Sequence, residues 1–292
     1  MHSSLKKAIC FTVVLVLPLI ISMFPQQSQA QAQAQTKIKM IGHRGASGVA
    51  PENTLASIRE AWRLNADGVE IDVRLTKDHK VVVIHDQSLK RTAGLNLGVS
   101  ETNLHVLRKY DVGSWKNSAR YSGEKIPLLS EVIKSLPDGK ELYIEFKDGG
   151  TILVDEVLRI VRFFPAKVKQ ITLIGFDFSQ INYAKVKAAQ IAAFYLVTDH
   201  NNSSPKETGV QTMVELDKVI SAAHKHHVDG ISFVYSDFIT KKLVDKMKQA
   251  GLELAVWTSS SVDSMVSYEA CARLGILSYT GNYPDHKFPG MG

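Results

Sequence analysis

Short runs of β-branched residues alternate with helix-like patterns along most of this sequence, and this alternation constrains the fold more than any other feature. Strands and helices that alternate in this way form parallel sheets with crossover helices. The candidate strands are 37–42, 68–73, 81–85, 141–146, 170–176, 191–197, 230–234, 252–257 and 275–280. The chain from residue 37 to residue 292 is long enough for a closed barrel, which takes roughly 250 residues. We therefore predict an α/β fold, a (β/α)8 TIM barrel.

The nine candidate strands are one more than the barrel needs, and the third explains the excess. The segment between the second and third strands is too short for a crossover helix, so it predicts a β-hairpin after strand 2. A turn centred between Asp78 and His79 would place Asp72 opposite His85, with Cβ atoms about 4.5–5.5 Å apart. Glu70 would share their face, because side chains on a strand alternate.

Two further features complete the predicted domain. Residues 87–127 are rich in glycine and charge and have few periodic apolar positions, which indicates a small insertion over the barrel mouth. Asn53 follows a Pro-Glu turn and is expected to be the N-cap of the first helix. We see no internal repeat and no second domain.

Residues 1–30 have the pattern of a secretory signal peptide. A short basic start precedes an apolar run at 8–24, and a small-x-small cleavage site ends at Ala30. The alternative is an uncleaved membrane anchor, but the run is at the lower limit for a span and contains Pro18. We therefore expect a secreted protein without a stable membrane anchor. Association with the cell wall after secretion is an option within this hypothesis.

The predicted mature chain begins with a flexible segment at 31–36 and continues as one domain over 37–292. The formal net charge of +6 falls to +4 when Lys6 and Lys7 are removed with the leader. This balance favours anionic surroundings such as wall polymers, acidic lipids or phosphate substrates. The sequence has no dense Lys/Arg stripe interleaved with aromatic residues, so we expect no nucleic-acid partner.

Three carboxylates end strands that should otherwise be apolar: Glu70, Asp72 and Glu145. In a barrel, groups at the carboxyl ends of the strands gather at the catalytic mouth. Carboxylates so close together raise one another's pKa unless a cation neutralises them. Ligands that are all oxygen suit Ca²⁺ or Mg²⁺ rather than Zn²⁺. The alternative is that the carboxylates form structural salt bridges with Arg74 and Lys147.

Two histidines and two cations accompany these carboxylates. His43 and His85 follow separate strands, so one can remove a proton from the nucleophile while the other protonates the leaving alkoxide. Asp86 either orients an imidazole or caps the following turn. Arg44 and Lys147 are suited to binding phosphoryl oxygens, Arg through a fork of two donors and Lys as a point charge. The set as a whole predicts phosphodiester hydrolysis.

At these residues the chain resembles the glycerophosphodiester phosphodiesterase family, in its secreted bacterial type, over everything after the leader. The matching segments are His43-Arg44-Gly45, Pro51-Glu52-Asn53-Thr54, Glu70 with Asp72, His85-Asp86, Gly113-Ser114-Trp115, Glu145 with Lys147, and Trp257-Thr258. The resemblance implies a barrel in which Glu70, Asp72 and Glu145 bind one divalent ion, often Ca²⁺ or Mg²⁺. It also implies acid–base work by His43 and His85, glycerol phosphate and an alcohol as products, and an insertion like the one predicted here.

The substrate pocket is less completely specified. Trp257 ends a strand at the active mouth, so we expect it to wall the glycerol pocket. Two segments depart from the family pattern. Ser260 stands where the family usually has Asn, and the late Thr-Asp-x-Pro appears as Thr280-Gly281-Asn282-Tyr283-Pro284, with one residue extra.

Hydrolysis of a small glycerophosphodiester is the leading functional hypothesis, and two alternatives remain. A phospholipase D-like enzyme acting on lysophospholipid or sphingomyelin would need a hydrophobic entry, which the insertion does not obviously provide. A secreted wall-binding module that only binds phosphate polymers is disfavoured by the intact histidines and carboxylates. Free glycerophosphocholine, glycerophosphoethanolamine and anionic wall polymer are all candidate substrates.

Overall fold

The computed structural model describes residues 38–198, 209–259 and 262–286. The predicted signal peptide and the flexible segment at 31–36 lie outside the described residues. The strands are β1 (Lys39–Gly42), β2 (Gly68–Leu75), β3 (Val81–Val83), β4 (Glu141–Phe146), β5 (Ile171–Gly175), β6 (Ala192–Val197), β7 (Gly230–Val234), β8 (Glu253–Trp257) and β9 (Ser278–Gly281). Eight of them pair in parallel, and the pairing of β1 with both β9 and β2 closes the sheet. The predicted (β/α)8 barrel is confirmed.

Helices connect the parallel strands on the outside of the barrel. They are α1 (Leu55–Arg63), α5 (Leu129–Ser135), α6 (Gly150–Val161), α7 (Phe178–Lys187), α8 (Met213–Lys225), α9 (Lys241–Gln249) and α10 (Met265–Leu274). Their inner faces are apolar and cover the outer face of the strands in one large core. A second apolar cluster, which includes Tyr143, Phe194 and Leu196, lies inside the barrel. Within the described ranges, no helix combines the length and the apolar character needed to cross a membrane.

The predicted hairpin is present, but the predicted register is wrong by one residue. Val73 pairs with Val83, so the residue opposite Asp72 is Ile84, whose backbone N–H donates to the Asp72 carbonyl at 2.9 Å. The turn has three residues instead of two, with His79 in the left-handed conformation at φ +56°. A type I turn followed by a left-handed residue is the usual three-residue hairpin loop, and it shifts the pairing by one position.

The insertion packs against the outer arm of this hairpin, β3. It contains the short helices α2 (Lys90–Ala93) and α3 (Leu104–Leu107), and α4 (Ser114–Tyr121), which is interrupted by a kink at Asn117. Its apolar side chains form a small core with two residues of the hairpin arm: Val82, Ile84, Leu89, Val99, Leu107, Val112 and Ile126. The insertion is therefore anchored beside the barrel mouth and contributes to the walls of the site described below.

Candidate active site

A cavity of about 800 Å³ opens at the carboxyl ends of the barrel strands and reaches into the barrel. Seven of the eight residues proposed from the sequence line it, namely His43, Arg44, Glu70, His85, Glu145, Lys147 and Trp257. The eighth, Asp72, is fully buried, and its carboxylate lies beside those of Glu70 and Glu145. The fold thus brings all eight residues to one site from five different strands and the loops that follow them.

The three carboxylates form a compact cluster. Asp72 on β2 is in register with Glu145 on β4, and Glu70 lies two residues earlier on the same face of β2. One oxygen from each of the three lies within 4.8 Å of the others. Glu70 Oε1 is buried without a hydrogen-bond partner. A buried oxygen without a donor beside two further carboxylates fits a hard divalent cation such as Ca²⁺ or Mg²⁺.

The pKa values of the cluster reflect burial and mutual repulsion. Burial, together with the charges of Asp72 and Glu145, raises the pKa of Glu70 well above its usual range. Burial also raises the pKa of Glu145 to about 7. For Asp72, burial acts in the same direction, but the adjacent Lys147 and Arg44 charges outweigh it and hold the pKa far below normal. Three buried carboxylates with two nearby cations leave a demand for further positive charge.

The two cations proposed to bind phosphate contact this cluster directly. Lys147 Nζ lies 2.9 Å from Asp72 Oδ1 and also contacts Glu145 Oε1. Arg44 Nε lies 3.3 Å from Asp72 Oδ2. The alternative of structural salt bridges is thus partly realised for Lys147. It is not realised for Arg74, whose Nε donates to the backbone carbonyl of His85.

His43 is oriented by a residue beyond the last strand. Its Nδ1 lies 2.9 Å from Asn282 Oδ1, and the same amide oxygen accepts from Ser47 Oγ at 2.8 Å. With an amide oxygen as acceptor, Nδ1 is the protonated nitrogen and Nε2 has a free lone pair. Nε2 lies 4.0 Å from Glu70 Oε2. Burial and the adjacent Arg44 charge lower the pKa of His43 to about 4, so its imidazole is neutral near pH 7.

His85 is oriented by its neighbour in sequence. Its Nδ1 donates to Asp86 Oδ1 at 2.8 Å, so of the two roles open to Asp86, contact with the imidazole is the one observed. Burial lowers the pKa of His85, although the negative charge of Asp72 opposes that effect. Hydrogen bonds from Arg91 and His85 hold the pKa of Asp86 at about 2 against the effect of burial. Asp86 is therefore ionised and can stabilise an imidazolium.

The loop after β1 holds Arg44 in an unusual backbone conformation. Arg44 has φ +54°, and its N–H donates to Glu70 Oε2 at 2.9 Å. Gly45 follows with φ +82°, and a Cβ there would lie 2.7 Å from a backbone carbon of Ser57. Only glycine fits at that position, since both the conformation and the space exclude a side chain.

Asn53 has a different role from the one predicted. The N-cap of α1 is Thr54, whose hydroxyl accepts from Ser57 N at 3.1 Å. Asn53, at φ +57°, instead donates through Nδ2 to Asp72 Oδ2 at 2.7 Å and accepts from Asp72 N at 3.2 Å. Because the left-handed backbone at Asn53 precedes the cap, the amide is free to fix the most deeply buried carboxylate.

Trp257 forms part of an apolar wall on the barrel side of the cavity. Its ring is perpendicular to that of Phe176, with centroids 5.7 Å apart, and Ile174 and Leu196 continue the wall. Trp257 Nε1 donates to the carbonyl of Val197 at 3.3 Å, which fixes the ring. Of the two departures from the family pattern, Ser260 lies outside the described residues.

Besides Asn53, three residues of the site were not identified as functional from the sequence. Asn282 contacts His43 and lies in the second departing segment, after the last strand. Glu52 and Arg91 join in ion pairs, and Glu52 also accepts from Arg44 at 2.8 Å. The position of Glu52 in the Pro-Glu-Asn-Thr segment was a signal that Glu52 takes part in the site. Nothing local in the sequence indicates the partner of Arg91.

Comparison with known proteins agrees with this site. The sequence profile of the glycerophosphoryl diester phosphodiesterase family matches residues 43–278. Bacillus subtilis YhdW, provisionally named glycerophosphodiester phosphodiesterase, is 29% identical over 84% of this chain and 95% of its own length. A lysophospholipase D of Homo sapiens is 35% identical, over 42% of this chain and 41% of its own.

Among solved structures, this chain is similar to a phosphodiesterase of Oleispira antarctica in complex with its product sn-glycerol-3-phosphate. That protein is 25% identical, with a TM-score of 0.72 over 85% of this chain and 94% of its own. The family match spans most of the sequence and includes every residue of the carboxylate cluster and both histidines. The chain therefore belongs to the glycerophosphoryl diester phosphodiesterase family and is an enzyme of that family.

Proposed function

We propose that this enzyme hydrolyses glycerophosphodiesters to glycerol phosphate and an alcohol by acid–base catalysis at a cation held by Glu70, Asp72 and Glu145. One observation carries the proposal. Two imidazoles, each held through Nδ1, line the same cavity as the three-carboxylate cluster. That combination supplies proton transfer and a cation site in one place.

Glu70, Asp72 and Glu145 would hold a divalent cation, Ca²⁺ or Mg²⁺, which would supply positive charge able to polarise a phosphoryl oxygen. The protein's own groups do the rest. Arg44 and Lys147 bind the anionic phosphoryl oxygens. His43 Nε2 accepts the proton of the attacking hydroxyl, since its imidazole is neutral and its Nδ1 is committed to Asn282. His85 is paired with the ionised Asp86, so it is the imidazole better able to hold a proton and donate it to the leaving alkoxide.

The attacking hydroxyl belongs either to water or to the glycerol unit of the substrate. In the second case the first product is a cyclic phosphate that water then opens. Both routes need the same base and acid. Trapping the cyclic phosphate by ³¹P NMR during turnover of glycerophosphocholine distinguishes them.

The histidine assignment is tested by kinetics of single variants. His43→Ala and His85→Ala should each lower kcat by about 10²–10⁴-fold on glycerophosphocholine. A substrate with an activated leaving group needs no acid, so it should restore the His85 variant and not the His43 variant. His105→Ala, an exposed histidine of the insertion, is the matched control. Rescue of the His43 variant alone would reverse the assignment.

A second candidate substrate class is lysophospholipid, as the phospholipase D-like alternative supposes. The observation that favours it is the apolar wall of Ile174, Phe176, Leu196 and Trp257, which comes from the barrel and not from the insertion. Comparing kcat/KM on lysophosphatidylcholine and glycerophosphocholine decides between them, and Phe176→Ser should reduce only the lipid activity. Phosphate-polymer binding without turnover, insensitive to chelator, would instead indicate the wall-binding alternative.

We further propose that residues 1–30 are cleaved and that the enzyme acts outside the cell, with anionic wall polymer as a further substrate. The basic mature chain and the phosphate-binding cavity support this. N-terminal sequencing of protein from culture medium should begin at Gln31. Recovery only from the membrane fraction with Met1 intact would contradict secretion, and no glycerol phosphate release from purified polymer would remove that substrate.

A further inference from the structure

We infer that Arg91 is a positioning residue that holds the phosphate-binding Arg44 and the acid His85 in place together, through two shared carboxylates. The inference rests on the proposed hydrolysis for its kinetic consequences, and on the described contacts for its geometry. Arg91 belongs to the insertion, so the inference gives the insertion a part in catalysis besides forming a cavity wall.

The guanidinium of Arg91 is bonded to two carboxylates at once. Nη1 and Nη2 donate to the two oxygens of Glu52 at 2.7 and 2.8 Å. Nε and Nη2 donate to the two oxygens of Asp86 at 2.8 and 3.0 Å. Every donor nitrogen of the group is used, and each carboxylate is bound in the bidentate geometry that guanidinium favours.

Each of these carboxylates has a second partner in the active site. Glu52 Oε1 also accepts from Arg44 Nη1 at 2.8 Å. Asp86 Oδ1 also accepts from His85 Nδ1 at 2.8 Å. Arg91 therefore fixes Glu52 and Asp86, the two carboxylates that orient Arg44 and His85. It also connects two loops that follow different strands. Without it, two negative carboxylates would face each other beside an anionic substrate.

The position of Arg91 is itself well fixed. Leu89, two residues before Arg91, is the N-cap of α2. It is fully buried in the insertion core, and its N–H donates to the carbonyl of Leu97 at 3.1 Å. The Trp115 ring lies over the guanidinium, with the centroid 5.8 Å from the Arg91 carbon Cζ. Trp115, which also lines the cavity, thus packs against the guanidinium, a contact that favours Arg in particular.

The kinetic test uses substitutions at this position and a matched arginine elsewhere. Arg91→Ala should lower kcat on glycerophosphocholine by about 10- to 100-fold, because a small displacement of catalytic groups has effects of that size. Arg91→Lys should recover little, since one ammonium cannot fork two carboxylates. Arg159→Ala is the control: it removes an ion pair on the outer helix α6, in which two guanidinium nitrogens donate to one oxygen of Glu156, and it should leave kcat unchanged.

Chemical rescue separates positioning from loss of folding. Arg91 is partly exposed and lines the cavity, so guanidinium added to the Arg91→Ala variant can enter the vacated space. Millimolar guanidinium should raise the kcat of the variant at least several-fold, whereas urea at the same concentration should not. Absence of rescue in a variant with the wild-type Tm would contradict a role for the guanidinium at this site.

A double-mutant comparison identifies what Arg91 acts through. In a Glu52→Gln, Asp86→Asn background the carboxylate charges are gone. In that background Arg91→Ala should therefore lower kcat by less than about 3-fold. If Arg91→Ala lowered kcat in that background as much as it does in the wild type, Arg91 would bind substrate directly and the inference would be wrong.

A crystal structure of Arg91→Ala tests the geometry without any activity. We expect Arg44 and His85 to leave their positions while Glu70, Asp72 and Glu145 remain in place. Unchanged Arg44 and His85 would overturn the inference even if hydrolysis is confirmed. Absence of hydrolysis by both the wild type and Arg159→Ala would overturn the proposed function and leave this structural comparison decisive for Arg91.

Discussion

Glu70 has less internal charge compensation than its two neighbours in the carboxylate cluster. Lys147 contacts both Asp72 and Glu145, while Glu70 Oε1 is buried without a donor. The energetic cost of burying that charge falls on the metal-free protein and is removed when a cation binds. A cation bound at the cluster would therefore be coupled to the protonation and the stability of the enzyme.

Glu70→Gln should abolish the thermal stabilisation that added Ca²⁺ or Mg²⁺ confers, along with activity. In the chelated protein the same variant should be at least as stable as the wild type, because one of three repelling charges has been removed. Differential scanning fluorimetry with and without cation measures both effects. Glu156→Gln on the outer surface is the control, and a cation-dependent shift retained in the Glu70 variant would remove that residue from the site.

Gly45 is a second residue whose replacement has a defined effect. Gly45→Ala should lower the free energy of unfolding by about 2 kcal/mol or more, since it adds a clash with Ser57 to the strain of a left-handed backbone. Gly251→Ala is the control, because Gly251 has a similar φ of +67° and no atom within 4 Å of its would-be Cβ. Urea denaturation measures the free energy of unfolding of both variants. An equal decrease in the two would show that the clash relaxes.

At the scale of elements, the β2–β3 hairpin sets where His85 emerges at the barrel mouth. Its register follows from the left-handed residue His79 in the turn. The one-residue difference from the predicted register moves His85 off the paired ladder, to the segment just after β3. There its imidazole reaches the cavity, and its backbone carbonyl accepts a hydrogen bond from Arg74 Nε.

His79→Ile should destabilise the protein by about 1–2 kcal/mol, because a β-branched side chain is strained in the left-handed region. His79→Gly should lie within about 1 kcal/mol of the wild type, since relief of strain is offset by the greater entropy of the unfolded chain. Chemical denaturation measures both. His79 is exposed and outside the cavity, so kcat/KM should not change, and a loss of activity in the glycine variant would contradict the separation of turn and site.

At the scale of the whole molecule, the buried cluster makes the stability of the metal-free enzyme depend on pH. The folded-state pKa of Glu145 is about 7, above the usual 4.5, and that of Glu70 is also raised. A raised carboxyl pKa means that the folded state binds more protons than the unfolded state, so stability present at low pH is lost as pH rises. The depressed pKa of Asp72 acts in the opposite direction, at pH below its usual value.

We therefore expect the Tm of the chelated wild type to fall between about pH 5 and pH 8 relative to that of Glu145→Gln, by on the order of a few °C. Saturating Ca²⁺ or Mg²⁺ should remove most of this difference in slope, because the cation replaces the protons. Thermal melts across the pH range provide the measurement. Parallel curves for the two chelated proteins would mean that Glu145 stays ionised in the folded state without metal.

Much of the architecture was determined by the sequence itself. The alternation of apolar strands with amphipathic helices is a local pattern, and eight such units can bury their apolar faces by closing into a barrel. The charged residues at strand ends were conspicuous for the same reason, since Glu70, Asp72 and Glu145 interrupt runs that must otherwise be apolar. Closure then brings the ends of those strands to one mouth, so their convergence was predictable.

Contacts between loops were decided only by the tertiary structure. Hairpin register depended on one backbone conformation at His79, and the partner of Asp72 depended on Asn53 being displaced from the helix cap by Thr54. The pairing of His43 with Asn282 joins the loop after the first strand to the loop after the last, between residues 239 positions apart in the sequence. Such pairings follow from where loops meet after closure. Local sequence preferences carry no information about that meeting, and a side chain with several satisfactory partners takes the one that packing places nearest.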